Sequence, residues 1–180
     1  PVQHINDKIL KAMGRKITKR GILELIHKLR KNIPSAVIRS SLIVGLPGEG
    51  EKEFTELLEF IKEVKFQRLG IFTYSREEGT PAYNFKNQVS EKKKMRRLDE
   101  AMKLQQEISV EINASFMGKK TDVLIDEKEK DYYLGRSQYD APEVDGSVYV
   151  NSKEPLKPGD FTKVKITDTL EYDLVGEAII

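Results

Sequence analysis

The 180-residue sequence contains no cysteine and no tryptophan. Lacking cysteine, these residues supply no thiolate nucleophile, no disulfide and no cysteine-ligated iron–sulfur cluster. Together with a Lys/Glu-rich composition, that absence fits a cytoplasmic protein or one from a thermophile. No apolar run approaches the ~20 residues of a membrane helix, and no signal peptide opens the chain, so no membrane partner is expected. The sequence starts at Pro1 rather than methionine. It therefore reads as processed or as a piece of a longer chain.

What is present is ordinary for a soluble globular protein: 38% hydrophobic and 33% charged residues, enough for one good core plus a small appended domain. The formal net charge of +2 conceals an uneven distribution. Gly118–Ile180 holds 9 Lys/Arg against 14 Asp/Glu, whereas residues 1–117 hold 22 against 15. Opposite signs in the two parts suggest two domains with different partners.

Hydrophobic spacing predicts a short helix over Asp7–Met13, with Ile9, Leu10 and Met13 on one face. A second helix follows a Thr18 cap and carries Ile22, Leu25, Ile26 and Leu29 until Pro34. "AVIRSSLIV" (36–44) reads as a buried parallel strand. A helix with Phe54, Leu57, Leu58, Ile61 and Val64 comes next, then a strand "RLGIFTYS" (68–75). After a Gly/Pro loop, Ser90 opens a long helix with Met95, Leu98, Met102, Ile108 and Ile112 as its apolar stripe. Met13, Met95 and Met102 read as core, and His27 as solvated surface. Alternating strands and helices at this spacing imply α/β units on a parallel sheet with right-handed crossovers. Beyond Gly118 the texture changes to short alternating strands: "KTDVLIDE", "YYLGRS", "GSVYVN", "FTKVKITD" and "DLVGEAII". These predict a small all-β barrel or sandwich, with the domain boundary at residues 117/118.

In parallel α/β architectures ligands meet the carboxyl ends of the strands. Three segments of unusual composition occupy that position: "PVQHI", "GLPGEGE" and "YSREEGTPAY". The middle one lacks the Gly-Lys-Ser/Thr ending of a P-loop, and Glu49, Glu51 and Glu53 would repel a polyanion at the helix start. The turn is either a connector or a place where glycines let the backbone approach a neutral or cationic ligand.

These segments carry a resemblance. "PVQHINDKILKAMGRKIT", "RSSLIVGLPGEGEKEF", "FTYSREEGTPAY" and "LQQEISVEIN" resemble, in order, signatures of the radical S-adenosylmethionine methylthiotransferases. "GRSQYDAPEVDGSVYVN", "PGDFTKVKIT" and "YDLVGEAI" resemble the family's C-terminal TRAM domain. The resemblance implies residues 1–117 as the C-terminal part of a TIM-like radical (β/α) barrel and 118–180 as an OB-like TRAM β-barrel. His4 after "PVQ", with the acidic "APEVDG" turn, is most similar to the branch that methylthiolates an aspartate β-carbon of small-subunit ribosomal protein number twelve. Relatives acting on transfer RNA usually show "PVQSGS" and lack the acidic turn. S-adenosylmethionine is the implied cofactor. The family's two four-iron, four-sulfur clusters use cysteines that lie outside these residues, so the chain alone is expected to be inactive and to hold no metal and no catalytic residue of its own.

The resemblance further implies a share of the S-adenosylmethionine wall. Gln3 either offers its amide to the ribose or amino-acid portion or braces its loop. Arg39 either pairs with the cofactor carboxylate or snorkels over a helix, and Ser41, two residues on, shares its face. Gly45 and Gly48 would admit the adenosyl group. Glu49 either meets a ligand amine or caps the following helix. Phe72 and Tyr74 would lie against adenine. His4 is a substrate-side residue at the rim or a buried, hydrogen-bonded histidine. The run "EKKKMRR" (91–97) is a solvated first turn or a contact to ribosomal RNA. Asp140, Glu143 and Asp145 form an acidic turn that would attract a basic ribosomal protein, within the ribosomal subunit or free of it, or would serve only solubility. A transfer-RNA adenosine methylthiotransferase and a non-enzymatic, TRAM-containing ribosome or RNA adaptor are the rival readings.

Overall fold

The computed structural model describes residues 1–179, which divide into two compact units, Pro1–Gln105 and Gln106–Ile180. In the first, β1 (Arg39–Val44) runs parallel to β2 (Arg68–Thr73), with Ser41 opposite Gly70 and Val44 opposite Thr73. Gln3 pairs with the other edge of β1: its N–H donates to the Ser41 carbonyl and its carbonyl accepts from the Ile43 N–H, both at 2.8 Å. Three parallel segments thus lie side by side, each continuing into one of the loops singled out by composition.

The helices start where side-chain oxygens satisfy orphan amides. Asn6 accepts from the Lys8 and Ile9 N–H groups at the head of α1 (Asp7–Ala12), and Thr18 accepts from Gly21 N–H at the head of α2 (Lys19–Asn32). α3 (Glu51–Val64) opens at Gly50, whose N–H is received by the Glu53 carboxylate at 2.9 Å. Its Phe54, Leu57, Phe60, Ile61 and Val64 are buried, each such side chain contributing about 2 kcal/mol through area removed from water. A single 3₁₀ turn (Pro81–Asn84) precedes α4 (Glu91–Ala114).

Two expectations need correction. β1 is covered on one face only: Ser40, Leu42 and Val44 are buried, while Arg39 is exposed and Ser41 and Ile43 are half-buried. Its partner shows the same asymmetry, with Ile71 buried and Phe72 58% exposed. The apolar stripe expected on α4 is also turned. Met95 is 51% exposed, and the first half of the helix covers Lys94, Arg97, Ala101 and Gln105 at helical spacing, whereas Ile108 of the expected stripe is buried and Leu98, Met102 and Ile112 are half-buried. Hydrophobicity alone misplaced Met95 and missed Lys94 and Arg97, because these polar side chains have internal partners.

The second unit is a closed barrel in the order β3-β4-β5-β7-β6. Its strands are β3 (Lys120–Lys128), β4 (Tyr133–Ser137), β5 (Val148–Asn151), β6 (Phe161–Thr169) and β7 (Leu174–Ile179). All pairings are antiparallel except β5 with β7. Alternating residues fill the interior, led by Val123, Ile125, Val148, Val150, Val164 and Ile166. The α/β class and the small OB-like barrel stand as the sequence indicated.

Candidate functional site

The first unit presents its polar chemistry where Gln3, β1 and β2 end. Gln3 holds φ +71°, a left-handed conformation costly for a residue with a Cβ, while both its backbone groups pair with β1. Such strain is characteristic of positions where a side chain is aimed for a purpose. After β1 the chain turns through Gly45 (φ +77°) and Gly48 (φ +85°), conformations that glycine adopts without penalty. After β2, the Tyr74 N–H returns to the Val44 carbonyl at 2.9 Å, joining the second and third loops at their roots. The three segments therefore share one end of the parallel sheet.

Behind this rim lies a buried polar cluster. The Glu49 carboxylate is buried and accepts from the Gly45 N–H with both oxygens, at 3.0 and 3.1 Å. Arg97 donates to the Glu49 carbonyl and carboxylate at 3.0 and 2.9 Å and to Glu51 at 3.0 Å. Arg96 grips both Glu51 oxygens at 2.9 and 2.8 Å. Hydrogen bonds from Arg96 and then Arg97 hold the Glu51 carboxyl below the ordinary carboxylate range. Glu49 therefore is not the cap of α3, a place taken by Gly50, which corrects that expectation; its carboxylate is engaged inside the protein.

His4 is fully buried. Its Nδ1 accepts from the Asn6 N–H at 3.0 Å, which puts the proton of the neutral ring on Nε2. That nitrogen lies 3.4 Å from the Glu49 carboxylate, close enough for attraction but short of hydrogen-bond geometry. Lys94 and Arg97, expected to be solvated or to meet RNA, are instead internal. Their signal in the sequence was spacing: they stand i−7 and i−4 from Ala101, in helical register with the buried Gln105.

The remaining residues fall as follows. Ser41 and Phe72 lie on the open face of the β1–β2 pair, in register with Gly70 and Ile43 respectively. Arg39 shares that face but opens β1, five residues and roughly 16 Å of strand from the rim. Tyr74 is half-buried, and its hydroxyl is a buried polar atom without a hydrogen-bond partner among the described residues. Gly48 has nothing within 4 Å of where a Cβ would stand. An open sheet face, an exposed aromatic ring, free space beside the Gly48 Cα and an orphaned hydroxyl fit an adenosyl-containing ligand. The cysteine-free chain offers no thiolates for a cluster.

In the barrel the acidic turn is mostly structural. Asp140 accepts from the Ser137 N–H and hydroxyl at 3.2 and 2.6 Å, and Asp145 from the Ala141 N–H at 2.7 Å. Glu143 alone of the three is exposed, at φ +59°. Among the described residues, no helix is long and apolar enough to cross a membrane.

Comparison with known proteins adds an independent line. Residues 1–61 match the radical SAM superfamily model and residues 117–179 the TRAM domain model. The chain is 53% identical over 180 residues to the "Ribosomal protein uS12 methylthiotransferase RimO" of Desulforamulus reducens, covering 98% of the chain and 40% of that relative. Proteins of the same name from Caldanaerobacter subterraneus and Clostridioides difficile are 52% and 49% identical, the matches covering 98% and 99% of the chain and 40% of each relative. The chain spans about 40% of the length of the curated relatives it matches.

Proposed function

We infer that the chain belongs to the radical S-adenosylmethionine methylthiotransferases, and we propose that its protein transfers a methylthio group to the β-carbon of an aspartate in ribosomal protein uS12. In this reading residues 1–117 are part of the radical barrel and 118–180 the TRAM domain. The observation that carries it is the meeting of "PVQHI", "GLPGEGE" and "YSREEGTPAY" at one end of three parallel segments, in a chain similar throughout to enzymes of that name.

S-adenosylmethionine, when bound with the family's clusters, supplies the radical chemistry that exchanges a C–H bond for a C–SCH₃ bond. The residues here bind and orient. Gln3, strained and anchored at both backbone groups, presents its amide to the polar half of the nucleoside. Phe72 offers a ring face to adenine, and Ser41 a hydroxyl on the same face. The Tyr74 hydroxyl finds in the ligand the acceptor or donor it lacks within the protein. Gly48, with no side chain and open space beside its Cα, leaves room for the ligand to come close to the turn. Arg39, at the far end of β1, meets the cofactor only if the ligand extends down the open face.

A basic ribosomal protein is favoured over transfer RNA by the acidic balance of residues 118–180, which repels phosphate and attracts lysine and arginine. The test is reaction of the protein, expressed from its complete reading frame under anaerobic reducing conditions, with S-adenosylmethionine and uS12. Mass spectrometry should find one methylthio group replacing hydrogen on an aspartate. Modification of transfer RNA instead, or tight salt-sensitive binding to it, would overturn the substrate assignment.

A further inference from the structure

Lys94 is a lysine with 3% of its surface exposed, on α4, which packs behind the cofactor-facing rim. Burying an ammonium is costly unless every donor is matched, so its partners reveal what the burial accomplishes. Nζ donates to the Tyr74 carbonyl at 2.8 Å and to Glu91 at 2.6 Å, and stands 5.2 Å from the centre of the Tyr74 ring. The aliphatic stem lies against Gly45 so closely that a Cβ there would sit 2.3 Å from Lys94 Cγ. One side chain thus touches the loop after β1 with its stem and the loop after β2 with its head. One turn along the same face, Arg97 reaches the first of these loops again through Glu49, whose carboxylate is clasped to the Gly45 N–H.

We propose that Lys94 and Arg97 are positioning residues that set the separation of the Gly45–Glu49 and Tyr74 loops and thereby the affinity for S-adenosylmethionine. The inference rests on the function proposed above and deepens it. Neither side chain touches the ligand. Lys94 fixes where the Tyr74 backbone and ring stand, and Arg97 fixes the path of the glycine turn by neutralising the one carboxylate that orders it. A rim assembled from loops on separate strands has no covalent reason to keep its spacing; two cations from one rigid helix supply it. The glycine at position 45 is then explained as the groove that admits the Lys94 stem.

The test uses Lys94→Met, which keeps the stem over Gly45 and removes the ammonium, with Arg97→Lys as a second variant and Leu57→Ala as a purely packing control. Two readouts are taken on the full chain. Amide hydrogen exchange reports the Gly45 and Tyr74 N–H groups without any ligand, and titration with S-adenosylmethionine reports affinity through amide shifts of Gly48, Phe72 and Tyr74. The expected result is faster exchange at Tyr74 in Lys94→Met and at Gly45 in Arg97→Lys, with affinity falling about tenfold in each. Leu57→Ala should lower the melting temperature and leave the affinity of the folded protein unchanged. If wild type responds to S-adenosylmethionine and both cation variants bind it equally well, the positioning role is overturned while the function stands. If wild type shows no response at any of these amides, it is the functional reading that fails. Should Lys94→Met not fold, Arg97→Lys alone decides the matter.

Discussion

At Gly45 two constraints coincide, a φ of +77° and a neighbouring side chain 2.3 Å from the position of a Cβ. Gly48 carries only the first, with φ +85° and open space around it. Gly45→Ala should therefore destabilise by about 2–4 kcal/mol and Gly48→Ala by about 1 kcal/mol, a contrast measurable by urea denaturation. Acid sensitivity is also decided residue by residue. Burial alone would raise the Glu56 carboxyl, but hydrogen bonds from Asn6 and Lys19 outweigh it and hold the group below its ordinary 4.5. Glu51 is held low in the same direction by Arg96 and Arg97. A carboxyl whose folded pKa lies below its unfolded value contributes stability that is whole above the unfolded value and is lost as pH falls through the folded one. Stability should accordingly be level near neutrality and decline below about pH 4.5, and Glu56→Gln should flatten part of that decline in denaturation midpoints measured against pH.

The element whose behaviour departs furthest from its sequence is α4. A helix read by hydrophobicity would place Met95 inside, yet the covered face runs through Lys94, Arg97 and Ala101. The reason is that a buried cation is tolerated when carbonyls and a carboxylate await it, and those acceptors come from loops distant in sequence. Met95→Lys should thus change stability by no more than about 0.5 kcal/mol, whereas Arg97→Met, which strands the buried Glu49 charge, should cost about 3–5 kcal/mol. Chemical denaturation of the two variants distinguishes the structure's register from the expected one. α2 departs less: Ile22 and Ile26 are buried as its spacing requires, but Leu25 and Leu29 are 51% and 36% exposed. The barrel strands departs least, because alternation with period two leaves little freedom once a five-strand closure is made.

For the molecule as a whole, the exposed Leu25, Ile33 and Phe72 in the first unit give the isolated chain apolar surface to hide. Light scattering of the 180-residue chain should find association rising with concentration, relieved by Leu25→Lys together with Ile33→Lys; a strict monomer at all concentrations would contradict this. The charge asymmetry between residues 1–117 and 118–180 belongs to the same scale, since it reflects the field of a whole segment rather than any one side chain. Its consequence is a partner preference. The hydrogen bonds by which Asp140 and Asp145 hold their turn leave that count unchanged.

Period and punctuation determined much here from the sequence alone. The parallel strands, the helix cap at Thr18, the five barrel strands and the three loops of odd composition all follow from local rules, in which each residue's neighbours along the chain decide its state. What only the tertiary structure decided were the fates of His4, Glu49, Lys94, Arg97, Asp140 and Asp145. A charged or polar side chain is buried when partners converge on it, and those partners here are carbonyls, amides and side chains that folding brings together. Hydrophobicity reports the cost of leaving water; it is blind to what waits at the other end.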